Sequence, residues 1–257
     1  MDFAAKWVAL RTIVRKEVVR FTRIWTQTLI PPVITQMLYF VIFGKFIGSQ
    51  IRDIHNISYM AFIVPGLVMM SVINNSFSNV VSSFFSSKFQ RSIEELLVSP
   101  TPHWVIIAGF ACGGVLRGLC VGTLVFCVSV FFTKPVIFNL GIVFLFIVLT
   151  AVVFALGGLL NAIFAKSFDD ISIFPMFVLT PAIYLGGVFY SIHDLSPFWQ
   201  SVSQFNPILY MVNGFRYGFY GFSDVNVLFS LGILVLFAAA LISINLALLR
   251  LGIGLKS

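Results

Sequence analysis

The stretch NLGIVFLFIVLTAVVFALGGLLNAIF, residues 139–164, contains no charged side chain. An α-helix rises about 1.5 Å per residue, so a helix over this stretch is longer than the roughly 30 Å hydrocarbon core of a bilayer. A segment this apolar also has no polar face to turn towards water. The stretch therefore predicts a membrane-spanning helix.

Five further segments have the same character, and together they account for the composition of the chain. Of its 257 residues, 59% are hydrophobic and 10% are charged, and the mean hydropathy is +1.03. A soluble domain has about a quarter of its residues charged, so this composition indicates an integral membrane protein and excludes a disordered or nucleic-acid-binding one. We predict an all-α membrane protein of one domain, residues 1–257, with six spans between 28 and 249. The predicted spans are 28–48, 59–80, 104–132, 139–164, 171–190 and 225–249.

The basic residues predict the orientation of these spans. Eleven of the sixteen fall on one side of the predicted topology: Lys6, Arg11, Arg15, Lys16, Arg20, Arg23, Lys88, Arg91, Lys166, Arg250 and Lys256. The other side has Lys45, Arg52, Lys134 and Arg216. Because cytoplasmic loops carry the excess of Lys and Arg, both termini and the tail 250–257 are expected in the cytoplasm.

The first 27 residues predict an amphipathic helix on the cytoplasmic surface of the membrane. Apolar side chains recur at steps of three or four, while basic residues occupy much of the remaining surface. Pro31 and Pro32 then turn the chain into the bilayer. No apolar signal region precedes this helix, so we expect no cleavable signal sequence. The apolar positions are Trp7, Leu10, Val14, Val18, Phe21 and Trp25.

The short cytoplasmic segment SSKFQRSIEELLVSPTP, residues 86–102, favours a helix of about ten residues that stops at Pro100. Its two adjacent acids and its tether between two spans fit a docking point for a soluble partner. A solvated turn without a partner explains the same residues equally well.

The external segment, residues 191–224, is too aromatic for a water-exposed loop and too interrupted by Pro and Gly for a seventh span. Irregular backbone at membrane depth requires polar partners from protein or trapped water. We therefore expect a pair of short re-entrant or interfacial helices, with Asn206 ending one and Pro207 starting the next. Solvent-facing aromatics of this segment would form an interfacial belt.

Span three carries a row of small residues, Gly114, Gly118 and Gly122, that allows another helix to approach closely. Arg117 lies beside that row, and two interpretations stay open: a functional or interface role, or simple snorkelling to the membrane surface. The cysteines of this span are read as small buried hydrophobic residues and not as ligands. They are Cys112, Cys120 and Cys127.

Motifs for chemistry are missing from the sequence. It contains no G-x-x-x-x-G-K-[ST] phosphate loop and no HExxH pair, so it predicts no ATP site by that motif, no metal site and no catalytic residue. All nine acids lie outside the apolar cores of the predicted spans, which disfavours an ion-coupled carrier.

Two segments in the predicted order resemble the permease subunits of ABC-2 type exporters. The run from Phe174 to Gly218 is similar to that family's signature of a span, a Gly-Gly turn, short helices and Asn-Pro. The segment FQRSIEELLVSP, residues 89–100, resembles its cytoplasmic coupling helix. The signature positions are Gly186, Gly187, Val188, Phe189, Tyr190, Pro197, Asn206, Pro207 and Arg216.

The resemblance implies a half-transporter in the bacterial inner membrane. Two copies of the chain would pair, and two separate ABC ATPase subunits, which bind the ATP and Mg²⁺, would dock on the coupling helix at 88–99. The chain itself would hold no cofactor and would contact membrane lipid. The alternatives are an ion-gradient-driven secondary carrier and a non-transporting assembly factor. The expected ATPase contacts are Phe89, Gln90, Arg91, Ile93, Glu94, Glu95 and Leu96. The resemblance also implies an external gate formed by the signature residues other than Val188.

Overall fold

The computed structural model describes residues 2–48, 50–51, 53–54 and 57–254. Arg52 and Lys256, which were counted in the predicted orientation, and the last three residues of the tail 250–257 lie outside the described residues. Within the described part of the chain every long element is helical, and Ile54 and Ile57 form an isolated antiparallel bridge. The fold class predicted from the sequence is therefore confirmed as all-helical.

Twelve α-helices are described, some of them joined by stretches of π-helix or 3₁₀-helix. They are α1 (Phe3–Arg23), α2 (Trp25–Thr28), α3 (Ile30–Tyr39), α4 (Tyr59–Phe89), α5 (Ser92–Val98), α6 (His103–Ser129), α7 (Leu140–Phe164), α8 (Asp170–Phe174), α9 (Thr180–Tyr184), α10 (Pro197–Gln204), α11 (Pro207–Tyr220) and α12 (Val227–Leu251). A π-helical turn, Phe40–Ile47, continues α3, and another, Pro175–Leu179, joins α8 to α9. A 3₁₀ turn, Ile192–Asp194, precedes α10.

Helix α4 forms the centre of the fold. In the most apolar part of α4, 89% of the residues are buried, whereas the corresponding share for α12 is 17%. Helix α4 packs on α6, α7 and α11. The helix carries many Ser and Asn residues, which would be costly against lipid. Central placement lets them bond within protein. For example, the Asn75 side-chain amide donates to the Ser71 carbonyl at 2.9 Å.

The predicted row of small residues on α6 meets α4. A Cβ atom at Gly114 would lie 2.8 Å from the backbone oxygen of Ser76, and one at Gly122 would lie 2.6 Å from Val72 Cγ2. At Gly118 a Cβ would overlap the Ser76 hydroxyl. Glycine at these positions therefore permits the close contact of the two helices.

Five of the six predicted spans are confirmed as helices long and apolar enough to cross a membrane. They are Trp25–Gly44, Tyr59–Phe89, His103–Ser129, Leu140–Phe164 and Val227–Leu251. The fifth predicted span, 171–190, is a shorter apolar stretch, Asp170–Tyr184, so its predicted end must be corrected. The chain turns after Tyr184, where Gly187 adopts a positive φ of 73° that a helix does not continue. Six spans remain a prediction.

The external segment contains the two short helices, α10 and α11, that its Pro residues predicted. Asn206 separates them and caps α11 by accepting a hydrogen bond from the Ile208 N–H at 3.0 Å. Helix α11 is buried against α4, α7 and α12, so it is part of the core. The re-entrant position of this segment stays a prediction. Phe198 and Trp199 are exposed, as an aromatic belt requires, whereas Tyr210 is buried.

The interpretation of the cysteines was wrong. All three lie on the outer surface of α6 and are free thiols. Because α6 turns its glycine row towards α4, the cysteines on other faces are left outside. An outward, lipid-compatible position explains their apolar surroundings in the sequence equally well.

Candidate functional site

A buried polar cluster joins α1 to the C-terminal half of α4. The Glu17 carboxylate is fully buried and accepts a hydrogen bond from the Ser83 hydroxyl at 2.5 Å. Arg20 lies 3.3 Å from the same carboxylate and donates to the Asn79 side-chain oxygen at 2.8 Å and to the Asn79 backbone carbonyl at 3.0 Å. Lys16 donates to the Ser87 hydroxyl at 3.3 Å.

This cluster attaches the amphipathic helix α1 to α4. Ile13 and Glu17 lie against Gly109 and Gly113 of α6, where a larger side chain would overlap them. The cluster was not predicted from the sequence, because the helix was expected to lie on the membrane surface and its polar residues were given no partners within the protein. The available signal was Glu17, the one acid within a basic helix, placed three residues before Arg20.

Helix α4 ends at Phe89, and a sharp turn leads to the short helix α5. Arg91 at this turn is left-handed, with φ of 58°, and is the one non-glycine residue with positive φ in the described part of the chain. Such a conformation costs roughly 1–2 kcal/mol for a residue with a side chain. The predicted coupling helix, 88–99, is therefore divided into two parts. Lys88 and Phe89 belong to the last turn of α4, and the separate helix is Ser92–Val98.

Helix α5 presents acids outwards and an apolar anchor inwards. Glu94 and Glu95 are exposed, as are Phe89, Gln90 and Arg91. Ile93 is fully buried among core residues that include Phe84 and Val105, and Leu96 is partly buried beside it. Ile93 and Leu96, which the sequence analysis grouped with the contact residues, therefore hold α5 in place.

Lys88 fixes the base of this turn to the end of α7. Its ammonium group donates to the carbonyl oxygens of Ile163 at 2.7 Å and Ala165 at 2.8 Å. The last carbonyls of a helix lack partners within the helix, and a basic side chain satisfies them well. A displacement of α5 would therefore act on α4 and α7 together.

Among the signature residues, Arg216 has a fully buried side chain that contacts the Gly186–Gly187 turn. Its guanidinium donates to the Gly187 carbonyl at 2.6 Å and lies 4.0 Å from the centre of the Phe62 ring. Burial lowers the pKa of Arg216 to about 10, and nearby Asp224 opposes that shift. Through its bond to Gly187 and its contact with Phe62, Arg216 holds the Gly186–Gly187 turn against the N-terminal part of α4.

Further backbone contacts tie this turn to α4. A Cβ atom at Gly66 would overlap the Val188 carbonyl oxygen, so the turn and α4 touch through their main chains. The Tyr59 hydroxyl donates to the Phe189 carbonyl at 3.0 Å. Phe189 itself packs on Phe43 and Tyr184, and Tyr190 is partly buried nearby. Pro197 begins α10 on the exposed side.

Asn206 connects α11 to α9 as well as capping it. Its side-chain amide donates to the Ala182 carbonyl at 2.6 Å, while its oxygen accepts from the Ile208 N–H. The next residue, Pro207, occupies the first helical position, where a missing N–H costs nothing. The Asn-Pro pair therefore sets the position of α11 relative to α9.

Arg117 contacts protein, which favours the interface interpretation over simple snorkelling. Its guanidinium donates to the Thr28 carbonyl at 3.3 Å. That carbonyl lies four residues before Pro32, which has no N–H to complete the helical bond. Arg117 thus supports the break between α2 and α3, and it lies at a helix interface.

The predicted coupling residues and the predicted gate residues lie at opposite ends of α4. At about 1.5 Å per residue, this helix of 31 residues is ~46 Å long. Its N-terminal end contacts the Gly186–Gly187 turn, and its C-terminal end carries the α1 cluster and leads to α5. A single helix therefore connects the two groups of contacts.

Replacing Asn206 with leucine tests the connection between α9 and α11. We expect a loss of about 2 kcal/mol in the free energy of unfolding, since one cap and one buried carbonyl lose their partner. Asn226→Leu is the matched control, because Asn226 caps α12 and makes no described side-chain bond to another helix. SDS titration of the purified chain measures both, and equal losses of about 1 kcal/mol would contradict a role beyond capping.

The chain is similar to known proteins over nearly its whole length. The family described as ABC-2 type transporter matches residues 8–220, from within α1 to the last residue of α11. The chain is 59% identical over 251 residues to the inner membrane transport permease YadH of Escherichia coli strain K12, covering 98% of each chain. It is 24% identical over 245 residues to nodulation protein J of Neorhizobium galegae, covering 95% of this chain and 92% of the other.

Proposed function

The chain belongs to the ABC-2 type transporter family, and on that premise we propose that it is the permease subunit of an ATP-driven exporter in the bacterial inner membrane. The likeness to a protein named inner membrane transport permease supports the location. The sequence lacks the phosphate loop that such a transporter needs, so separate ATPase subunits would bind the ATP and Mg²⁺. The permease would do no covalent chemistry.

The proposal is supported by the way in which α5 is held in the fold. It exposes Glu94 and Glu95 while Ile93 is buried and Lys88 holds the preceding turn to α7. A solvated turn without a partner would need neither a buried anchor nor a connection to two long helices. We propose that two ATPase subunits dock on Phe89–Glu95, and that their closure displaces α5 and, through it, α4.

Two copies of the chain would enclose the substrate path. Helices α3 and α8–α9 leave a continuous apolar face exposed in one copy, which supports pairing through spans one and five. Tyr39 and Tyr184 share a hydrogen bond of 3.0 Å on this face. The exposed apolar residues include Ile34, Met37, Leu38, Met176, Phe177 and Val178.

The external segment would serve as the outer gate. Arg216, Asn206 and the Gly186–Gly187 turn join α11, α9 and α4, so a shift of α4 would be transmitted to this segment. Signature residues Phe189, Tyr190, Pro197 and Pro207 lie in the same region. The gate would open towards the outside when the ATPase subunits close.

Replacing both Glu94 and Glu95 with alanine tests the docking surface. We expect the ATPase that copurifies with the tagged chain in mild detergent to fall by at least tenfold, because charge pairs at an interface contribute roughly 1.5 kcal/mol or more. Native mass spectrometry of the wild-type complex should give two copies of each subunit.

Asp169→Ala is the control, since Asp169 is an exposed acid on the same predicted side but outside α5. It should leave copurification unchanged. If the double variant retains the ATPase as well as the control does, α5 is not the docking surface. A wild-type chain that copurifies with no ATPase would instead favour a secondary carrier or an assembly factor.

A further inference from the structure

A basic cavity lies where α4, α7 and α12 end. Its volume is about 720 Å³, and its lining includes Lys88, Arg91 and Lys166. The positive charges of Lys88 and Lys166 act on each other. In the described part of the chain the one ion pair is that of Arg20 with Glu17, so no described carboxylate lies within 4.0 Å of these three cations.

One acid lies near Lys166: the Asp170 carboxylate accepts a hydrogen bond from the Lys166 backbone N–H at 2.9 Å. One acid does not balance three cations, and like charges held together are unfavourable unless an anion offsets them. Lys88 uses two of its three N–H donors on the Ile163 and Ala165 carbonyls, which holds the ammonium at the cavity wall. Arg91 stays at a left-handed turn position that glycine would occupy without strain. A residue that retains such strain is a sign of a functional requirement for its side chain.

Aromatic side chains complete the cavity beside the cations. Phe85, Phe89 and Phe164 line it, and Phe168 packs edge-on against both Phe85 and Phe89 at ring distances of 4.9 and 5.1 Å. Phe89, Phe164 and Phe168 are each more than half exposed. Three cations next to an open apolar wall match a molecule that has an anionic head and an apolar body.

We propose that this cavity binds the headgroup of an anionic phospholipid from the cytoplasmic leaflet. The phosphate would lie between Lys88, Arg91 and Lys166, and the glycerol and upper acyl chains would lie on the Phe85, Phe89 and Phe164 rings. Basic cavities between helix ends on the cytoplasmic side suit such headgroups. The bound lipid would stabilise the turn between α4 and α5 and is independent of the substrate path.

The charge of the site can be reduced without removing the Lys88 bonds to α7. In the double variant Arg91→Gln with Lys166→Gln, binding of phosphatidylglycerol to the full detergent-purified chain should weaken by roughly tenfold to thirtyfold. The control double variant, Lys134→Gln with Arg250→Gln, loses the same net charge elsewhere and should bind as the wild type does. Native mass spectrometry gives the affinities.

Further measurements distinguish a lipid from a free phosphate and control for misfolding of the variants. Phosphatidylcholine and sn-glycerol 3-phosphate should each bind at least tenfold more weakly than phosphatidylglycerol. The single variant Lys166→Arg keeps Arg91 and the positive charge, so it should bind phosphatidylglycerol as the wild type does. Equal weakening in the two double variants, or equal binding of glycerol phosphate, would overturn the proposal. Unchanged lipid binding with loss of the copurifying ATPase would overturn it too, and would assign these cations to the protein interface.

Discussion

Replacing Arg20 with methionine is expected to destabilise the chain by about 3 kcal/mol. The change leaves the Glu17 carboxylate fully buried with Ser83 as its remaining polar partner, and it removes the bonds that Arg20 donates to Asn79. Removing one member of a buried ion pair leaves an uncompensated charge, which is among the costliest single changes. We place the effect at the lower end of the usual range because 30% of the Arg20 side chain is exposed.

Arg23→Met is the matched control on the same helix. Arg23 is exposed in the last turn of α1, so its loss removes at most a favourable interaction with the helix dipole, about 0.5 kcal/mol. Adding Glu17→Gln to Arg20→Met should recover about 1 kcal/mol or more, because the two residues interact directly. Unfolding in mixed SDS micelles measures all four chains. Equal stability of the Arg20 and Arg23 variants would show that α1 is not held to α4 by this cluster.

Replacing Gly158 with alanine is expected to cost about 2 kcal/mol or more, although alanine favours a helix over glycine. A Cβ atom at this position of α7 would lie 2.5 Å from the backbone oxygen of Phe77 and 3.2 Å from its carbonyl carbon. Because these atoms belong to the main chain of α4, no side-chain rotation can relieve the overlap. The central pair of helices would have to move apart.

The neighbouring residue supplies the control for this prediction. A Cβ atom at Gly157 would meet the Phe77 ring at 3.9 Å, an ordinary van der Waals distance. Gly157→Ala should therefore lose no stability. Both variants can be compared by the yield of monodisperse protein and by SDS titration. A Gly158 variant as stable as the Gly157 variant would show that α4 and α7 pack less closely than described.

The sequence predicts α7 and α12 well because each is a nearly uninterrupted apolar run, as in residues 139–164. It predicts the break at Asn206 and Pro207 equally well, since the residue types themselves impose a helix end and a helix start. The length of span five was harder. Its apolar character continues past Tyr184, and the turn depends on one backbone angle at Gly187 that hydropathy does not report.

The candidate site was predicted less completely, because its contacts join distant parts of the chain. Glu17 with Ser83, Lys88 with Ile163 and Arg117 with Thr28 are separated by more than sixty residues each. Hydrophobic periodicity detects a buried face but not the partner of a polar group on it. For the same reason Ile93 was assigned to a partner surface when it packs in the core.

Residue-specific photo-crosslinking in native membranes directly tests whether an ABC ATPase docks on α5. The photoreactive side chain is placed at Val98, which is 88% exposed on α5 and leaves both acids intact, and separately at Phe205, which is 90% exposed on the external segment. If the ATPase docks on α5, we expect a covalent product with an ABC ATPase from Val98 and none from Phe205. No ATPase product from Val98, or an equal yield from both positions, would contradict docking on α5.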